Sequence, residues 1–210
     1  METVTGRIIE WGIAGRPLAG QQESGDLQFV RVDSHEALVA VVDGLGHGEE
    51  AAAAARIAIA TIAEHPGESP IALVQHCYEK LRYTRGVVMS LAALRTEDDT
   101  MTWIGVGNVE GLLLHWDGHA IPIQEGLLLR PGVVGDRQPR LIASVIQIAA
   151  GDLLIFTTDG IRPGFTHKIS PRDFPQQIAD RILVEFGQET DDALVVVVRY
   201  LHGQAKTVNR

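Results

Sequence analysis

Aspartates that follow apolar segments are the residues of this chain best suited to chemistry. Asp43 follows the run 38–42, and Asp159 follows a second apolar run at 153–156. A glycine comes directly after each of them. Carboxylate and carbonyl oxygens are the donors that Mg²⁺ and Mn²⁺ prefer, so the two Asp-Gly steps predict a site for a hard divalent cation.

A hairpin turning at residues 33–36 brings a third aspartate into this set, because it pairs Asp26 with Asp43 across the two strands. Opposite residues project from one face with Cβ atoms about 5 Å apart, and two carboxylates at that distance repel unless a cation or solvent separates them. A simpler interpretation is that these are turn residues, because Asp-Gly is a common turn signal. Two such steps after apolar runs, with acidic residues also opening runs at 26 and 191, favour the metal site.

The elements that position these aspartates follow from local pattern. Short apolar or β-branched runs predict strands at 27–32, 38–42, 86–94, 100–106, 111–116, 144–148, 152–157 and 193–201. Periodicity and start signals predict helices at 47–65, 69–84 and 175–186. This order is not an alternating β-α-β wind, and it predicts an α+β fold of two antiparallel sheets with helices outside. We also expect 100–116 to form one hairpin about Gly107 and Asn108.

Chain length, net charge and cysteine content limit the classes of protein to which this chain can belong. The 210 residues suit one domain, and 27 acidic against 18 basic residues give a net charge of −9. That balance disfavours nucleic acid and anionic membrane surfaces as partners. The single Cys77 cannot form an internal disulfide, which suits a reducing compartment. The chain shows neither a signal-peptide pattern nor a membrane-length apolar run, so the expected location is the cytoplasm.

The segment Asp43-Gly44-Leu45-Gly46-His47-Gly48 resembles a motif of the metal-dependent Ser/Thr protein phosphatases, the PPM family, in its SpoIIE-like bacterial branch. Three further segments resemble motifs of that branch and occur in its order: Ser24-Gly25-Asp26, Thr157-Thr158-Asp159-Gly160 and Asp191-Asp192-Ala193-Leu194. The resemblance covers residues 1–202 as a single catalytic domain and leaves 203–210 as a C-terminal tail. It implies a four-layer α-β-β-α sandwich, two antiparallel sheets flanked by helices.

The resemblance also implies two divalent ions, Mn²⁺ or Mg²⁺. The metal ligands that it implies are Asp26, Asp43, Gly44, Asp159 and Asp191. Asp43 would bridge both ions, with the carbonyl of Gly44 on one of them and Asp26 acting directly or through water. Asp159 and Asp191 match ligands of the other ion. Asp43 and Asp159 are also the candidate catalytic residues.

Three residues keep alternative interpretations. His47 stands two residues later than the proposed general acid of many eukaryotic members, and a helix-start residue bonded to backbone is the favoured interpretation. Asp192 competes with Asp191 as the ligand of the closing motif. Asn108 is interpreted as a turn residue rather than a site residue.

The function implied by the resemblance is hydrolysis of phosphoserine and phosphothreonine by a metal-activated water. The core fills the chain, as in stand-alone stressosome phosphatases, so the implied partners are phosphorylated STAS-domain scaffold or antagonist proteins. The enzyme would then be a negative regulator of the bacterial stress response. Two alternatives remain, a catalytically weak phosphoprotein-binding module and a small-molecule phosphoesterase. Loss of Asp43, Asp159 or Asp191 would favour the module, and all three are present.

Overall fold

The computed structural model describes residues 7–116, 122–136 and 140–203. The elements are, in chain order, β1 Ile9–Arg16, β2 Asp26–Val32, β3 Glu36–Gly44, α1 Glu49–Glu64, α2 Pro70–Leu81, β4 Val87–Arg95, β5 Thr100–Val106, β6 Glu110–His115, β7 Ile123–Gly126, β8 Leu129–Arg130, β9 Ser144–Gln147, β10 Leu153–Thr157, a 3-10 turn Phe165–Lys168, α3 Pro175–Phe186 and β11 Ala193–Tyr200. In these ranges, no helix is both long and apolar enough to cross a membrane.

The strands form two sheets. One has the order β1-β11-β10-β6-β7, and the other has the order β2-β3-β4-β5-β8, with β9 also pairing with β5. Pairing is antiparallel except between β5 and β8. Successive side chains of a strand point to opposite faces, so each apolar strand supplies two layers of the core.

Three apolar clusters define the layers. Trp103, Phe156 and Val196 belong to the cluster between the two sheets. A second cluster packs the six-stranded sheet against α1 and α2, and a third packs the five-stranded sheet against α3. The predicted α-β-β-α sandwich is therefore confirmed.

The predicted helix starts have visible causes. Ser69 precedes α2, and its hydroxyl accepts a hydrogen bond from the backbone N–H of Ala72 at 3.3 Å, with Pro70 in the first turn. Glu49 and Glu50 occupy the first turn of α1, where negative charge complements the helix dipole. The alanines of α1 allow it to lie close against the six-stranded sheet, and this places the loop 45–48 above the end of β3.

The expected 100–116 hairpin is wrong. β5 lies in the six-stranded sheet and β6 in the five-stranded sheet, so residues 107–109 cross from one sheet to the other. Alternation along each strand specifies which side chains are buried, but it does not specify which strand is the neighbour. The strands β1, β7 and β8 were not predicted, since their sequences are rich in glycine or charged residues or are very short. Residues 204–210 of the expected tail lie outside the described part, and the boundary at 202 stays a prediction.

Candidate metal centre

The hairpin of β2 and β3 holds the first two aspartates in register. Asp26 is the cross-strand partner of Asp43, as the sequence predicts, and the turn is closed by the N–H of Asp33, which donates to the carbonyl of Glu36 at 2.8 Å. Asp26 is buried and Asp43 is partly exposed. Their carboxyl groups therefore meet at the end of the sandwich where β3 gives way to the loop before α1.

Both carboxyl groups of this pair have strongly raised pKa values. Burial raises the pKa of Asp43 to about 8, and neighbouring carboxylates, that of Asp26 first, add to the effect. Burial likewise raises the pKa of Asp26 to about 7, although the hydroxyl of Thr158, which donates to its Oδ2 at 2.7 Å, acts in the opposite direction. A nearby cation favours the ionised form, so it would oppose both causes.

A cavity of about 240 Å³ gathers three of the predicted carboxylates. Asp43 comes from the end of β3, Asp159 from just beyond β10, and Asp191 from just before β11. The other lining residues are Leu45, Gly46, His47, Val88, Asn108 and Thr190. Burial, followed by the charge of Asp191, raises the pKa of Asp159. The ends of β10 and β11 in one sheet and of β3 in the other therefore bring residues up to 148 positions apart into one concave site.

Two of the predicted ligands lie beside this cavity rather than in its lining. Asp26 lines a neighbouring cavity of about 250 Å³ that also contains Arg16 and Ser24. Gly44 is buried, and its N–H donates to the carbonyl of Gly25 at 3.0 Å. Asp43 therefore lines the metal cavity, and its cross-strand partner Asp26 lines the neighbouring one.

The glycines after Asp43 and Asp159 are required by close packing. A Cβ on Gly44 would collide with the carbonyl oxygen of Ala51 in α1, and a Cβ on Gly160 would collide with the carbonyl oxygen of Asp192. Each glycine thus lets another backbone segment approach the strand end. The Asp-Gly pattern has a structural cause here in addition to its proximity to the site.

The structure distinguishes the adjacent aspartates of the closing motif. Asp191 lines the cavity, whereas Asp192 is buried and is not part of the lining. The two carboxylate oxygens of Asp192 accept hydrogen bonds from the backbone N–H groups of Leu18 and Gly25, each at 2.7 Å. Asp192 therefore fixes two loops to the start of β11, and Asp191 is the residue of the pair whose side chain lines the cavity.

Asn108 lies in the candidate site, a position that its interpretation as a turn residue did not predict. Its side-chain amide donates to Oδ2 of Asp159 at 2.8 Å, and it lines the same cavity. The signal for this role lies in the crossover, because residues 107–109 link the two sheets at the end where Asp43 and Asp159 lie. A hairpin over 100–116 would place Asn108 in a turn within one sheet, so this interpretation does not predict its contact with Asp159.

The donor set fits a hard cation with its own water ligands. Within the described ranges, no group of three or more His, Cys, Asp or Glu side chains is arranged to hold a metal ion. Mg²⁺ keeps several waters and is usually bound through one or two carboxylates, and the oxygen donors around Asp43 match that mode. His47 lines the wall of the cavity, where its ring adds a nitrogen donor that such ions do not favour.

Comparisons with known proteins show which family this chain resembles. The family model described as "Stage II sporulation protein E (SpoIIE)" matches residues 33–201. The chain is 23% identical over 185 residues to "Phosphoserine phosphatase RsbX" of Bacillus subtilis strain 168, a match covering 85% of this chain and 88% of that protein.

Solved structures share the fold. A chain from the structure described as "The bacterial stressosome: a modular system that has been adapted to control secondary messenger signaling" is 30% identical, with a TM-score of 0.82 over 91% of this chain and 99% of that chain. A crystal structure of RsbX in complex with magnesium is 20% identical, with a TM-score of 0.82 over 91% of this chain and 95% of that one. The PP2C phosphatase domain of SpoIIE from Bacillus subtilis, with a fragment of its regulatory domain, is 23% identical, with a TM-score of 0.73 over 93% of this chain and 64% of that chain.

Proposed function

This chain belongs to the SpoIIE family of PP2C-type phosphatases and is a metal-dependent Ser/Thr phosphatase, and we propose that its substrates are phosphorylated STAS-domain proteins of a stressosome. The similarity to RsbX and to a chain from a stressosome structure supports this substrate class. By removing phosphate from scaffold or antagonist proteins, the enzyme would return the stress signal to its resting state. The proposed setting is the cytoplasm.

We propose that the ligands are divided around Asp43. Asp43, Asp159 and Asp191, directly or through bound waters, would hold one divalent ion, while Asp43, the carbonyl of Gly44 and Asp26 would serve a second, with Mn²⁺ and Mg²⁺ as the candidate ions. When bound, such ions supply Lewis acidity that lowers the pKa of a coordinated water and neutralises phosphate charge.

The side chains of this chain have separate tasks in that scheme. Asp43 is the residue shared by both ligand sets, and a nearby cation would favour its ionised form against the burial that raises its pKa. Asn108 fixes the carboxylate of Asp159 through its hydrogen bond. Thr158 donates to Asp26 while its hydroxyl oxygen accepts from the N–H of Leu194 at 2.9 Å, so the oxygen left free on Asp26 is held in a defined direction.

The observation that carries the proposal is the meeting of Asp43, Asp159 and Asp191 in one cavity of a SpoIIE-family chain. To test it, the purified protein is incubated with Mn²⁺ and candidate STAS-domain proteins phosphorylated on Ser or Thr. Mass spectrometry should show loss of 80 Da per site, the mass of HPO₃, and the Asp43→Asn variant serves as the control.

A parallel panel separates this function from small-molecule phosphoester hydrolysis. It compares phosphorylated STAS-domain proteins, p-nitrophenyl phosphate and a nucleotide under the same Mn²⁺ concentration. The proposal requires that kcat/KM be highest for a phosphoprotein. Hydrolysis of p-nitrophenyl phosphate together with intact phosphoproteins would contradict the proposed substrates without contradicting the phosphatase activity.

A further inference from the structure

A second concave surface lies next to the metal cavity. It is a cleft of about 400 Å³ between the first turns of α1 and the segment that connects α2 to β4. We call it the Tyr83 cleft, and its lining residues are Glu50, Ala53, Ala54, Tyr83, Thr84 and Arg85. The catalytic scheme described above uses none of these residues.

The floor and one wall of the cleft are apolar and unusually exposed. Tyr83 has 97% of its surface exposed, and such high exposure is rare for a large aromatic residue. Ala53 is partly exposed on α1, and Ile57, one turn further along the same face, is 37% exposed. Small alanines beside a projecting ring leave room for an incoming apolar side chain.

The end of the cleft that faces the metal cavity carries one cationic side chain, Arg85. Arg85 forms an ion pair with Glu50 through Nη2, and Nη1 lies 2.8 Å from the position that a Cβ on Gly46 would occupy. Gly46 lines the metal cavity, so Arg85 stands where the two concavities meet. The described lining of the metal cavity contains three carboxylates and neither Lys nor Arg.

The position of Arg85 between the metal cavity and the apolar Tyr83 cleft favours a phosphorylated polypeptide as the occupant of the cleft. The phosphate dianion of a substrate would compete with Glu50 for the guanidinium of Arg85, and Arg is well suited to contact phosphate. The apolar Tyr83 wall continues from that point and complements a side chain close in sequence to the phosphorylated residue. Aromatic residues flanked by polar rims are typical of protein-binding surfaces.

We propose that the Tyr83 cleft binds the segment of the phosphoprotein substrate that flanks the phosphorylated residue, with an apolar side chain placed between Tyr83 and Ala53. The inference rests on the proposed function, because it assumes a polypeptide substrate. It deepens that function by assigning the recognition of the polypeptide to a surface separate from the metal ligands.

Two phosphoserine decapeptides test the proposal. One carries leucine at the two positions on either side of the phosphoserine, and the other carries serine there. With Mn²⁺, the wild-type enzyme should show a lower KM for the leucine peptide. Tyr83→Ser and Ala53→Glu, which remove the wall and fill the floor, should raise that KM about tenfold, as loss of an aromatic anchor typically does, and leave kcat unchanged.

Hydrolysis of p-nitrophenyl phosphate provides the fold control, because this substrate has no flanking chain. Both variants should retain its wild-type kcat and KM. Val184→Ser is the matched surface control, since Val184 is 81% exposed on α3 at the opposite layer, and its peptide kinetics should not change. Equal loss on peptides and on p-nitrophenyl phosphate would overturn the proposal by showing general damage to the site.

Two other results also overturn it. One is a wild-type enzyme with equal KM for the two peptides, and the other is an unchanged leucine preference in Tyr83→Ser. Sedimentation that shows a dimer lost in Tyr83→Ser would assign the cleft to a second copy of this chain instead. If the leucine preference depends on Tyr83 but phosphorylated STAS-domain proteins remain intact, the proposed stressosome substrates fail while the cleft inference stands.

Discussion

Replacing Asp43 by asparagine should stabilise the metal-free protein at alkaline pH while it abolishes activity. Burial raises the pKa of Asp43 from 3.8 to about 8. An acid with this shift is protonated in the folded state and ionised in the unfolded state at intermediate pH, so the free energy of unfolding falls as pH rises from 3.8 to about 8 and levels off above that. At about 1.4 kcal/mol per pKa unit, the penalty is on the order of 5 kcal/mol at pH 8 and about 1.6 kcal/mol at pH 5.

Solvent in the open cavity reduces this penalty, so we expect Asp43→Asn to gain about 2 kcal/mol more at pH 8 than at pH 5. The assay is urea unfolding in EDTA, followed by the fluorescence of the buried Trp103, at both pH values. Asp136→Asn, at an exposed position, should show no such difference. Equal stability changes at the two pH values would refute the electrostatic argument, and Mn²⁺-dependent turnover by Asp43→Asn close to that of wild type would refute its central role.

The remaining predictions concern the metal and the residues around it. EDTA should abolish hydrolysis of p-nitrophenyl phosphate and added Mn²⁺ should restore it, so activity that survives chelation would exclude the metal scheme. Asn108→Ala should raise the Mn²⁺ concentration for half-maximal activity about 10–100-fold, because Asp159 loses the donor that orients it, and a metal titration measures this. Asp191→Asn should lose activity with little change in unfolding free energy. Asp192→Ala should lose about 2–4 kcal/mol of stability in urea, because one buried and one partly buried N–H group lose their acceptor. Loss of activity in Asp192→Ala together with loss of stability in Asp191→Asn would instead show that Asp192 is the ligand.

Local pattern was sufficient for much of the fold. β5 Thr100–Val106 and α3 Pro175–Phe186 have the predicted bounds, and most other predicted strands and helices differ by a few residues at their ends. The pairing of Asp26 with Asp43 followed from the length of a single turn, because a short hairpin fixes its own register. Information of this kind is local, so the sequence carries it directly.

Non-local pairing was the part that sequence reasoning missed. β5 and β6 have all the features of a hairpin, yet they lie in different sheets, and this hid the contact between Asn108 and Asp159. Likewise, nothing in Asp191-Asp192 distinguishes the two residues until the loops that bear Leu18 and Gly25 are in place.

The sequence by itself determined which side chains could bind a hard cation, the strands that carry them and the layers that those strands form. Only the tertiary structure decided which strands are neighbours, which aspartate of the closing pair lines the cavity and that Arg85 lies between this cavity and the Tyr83 cleft. The physical reason is that alternation and periodicity act over a few residues. Convergence of distant strand ends depends instead on how the two sheets pack over a shared core.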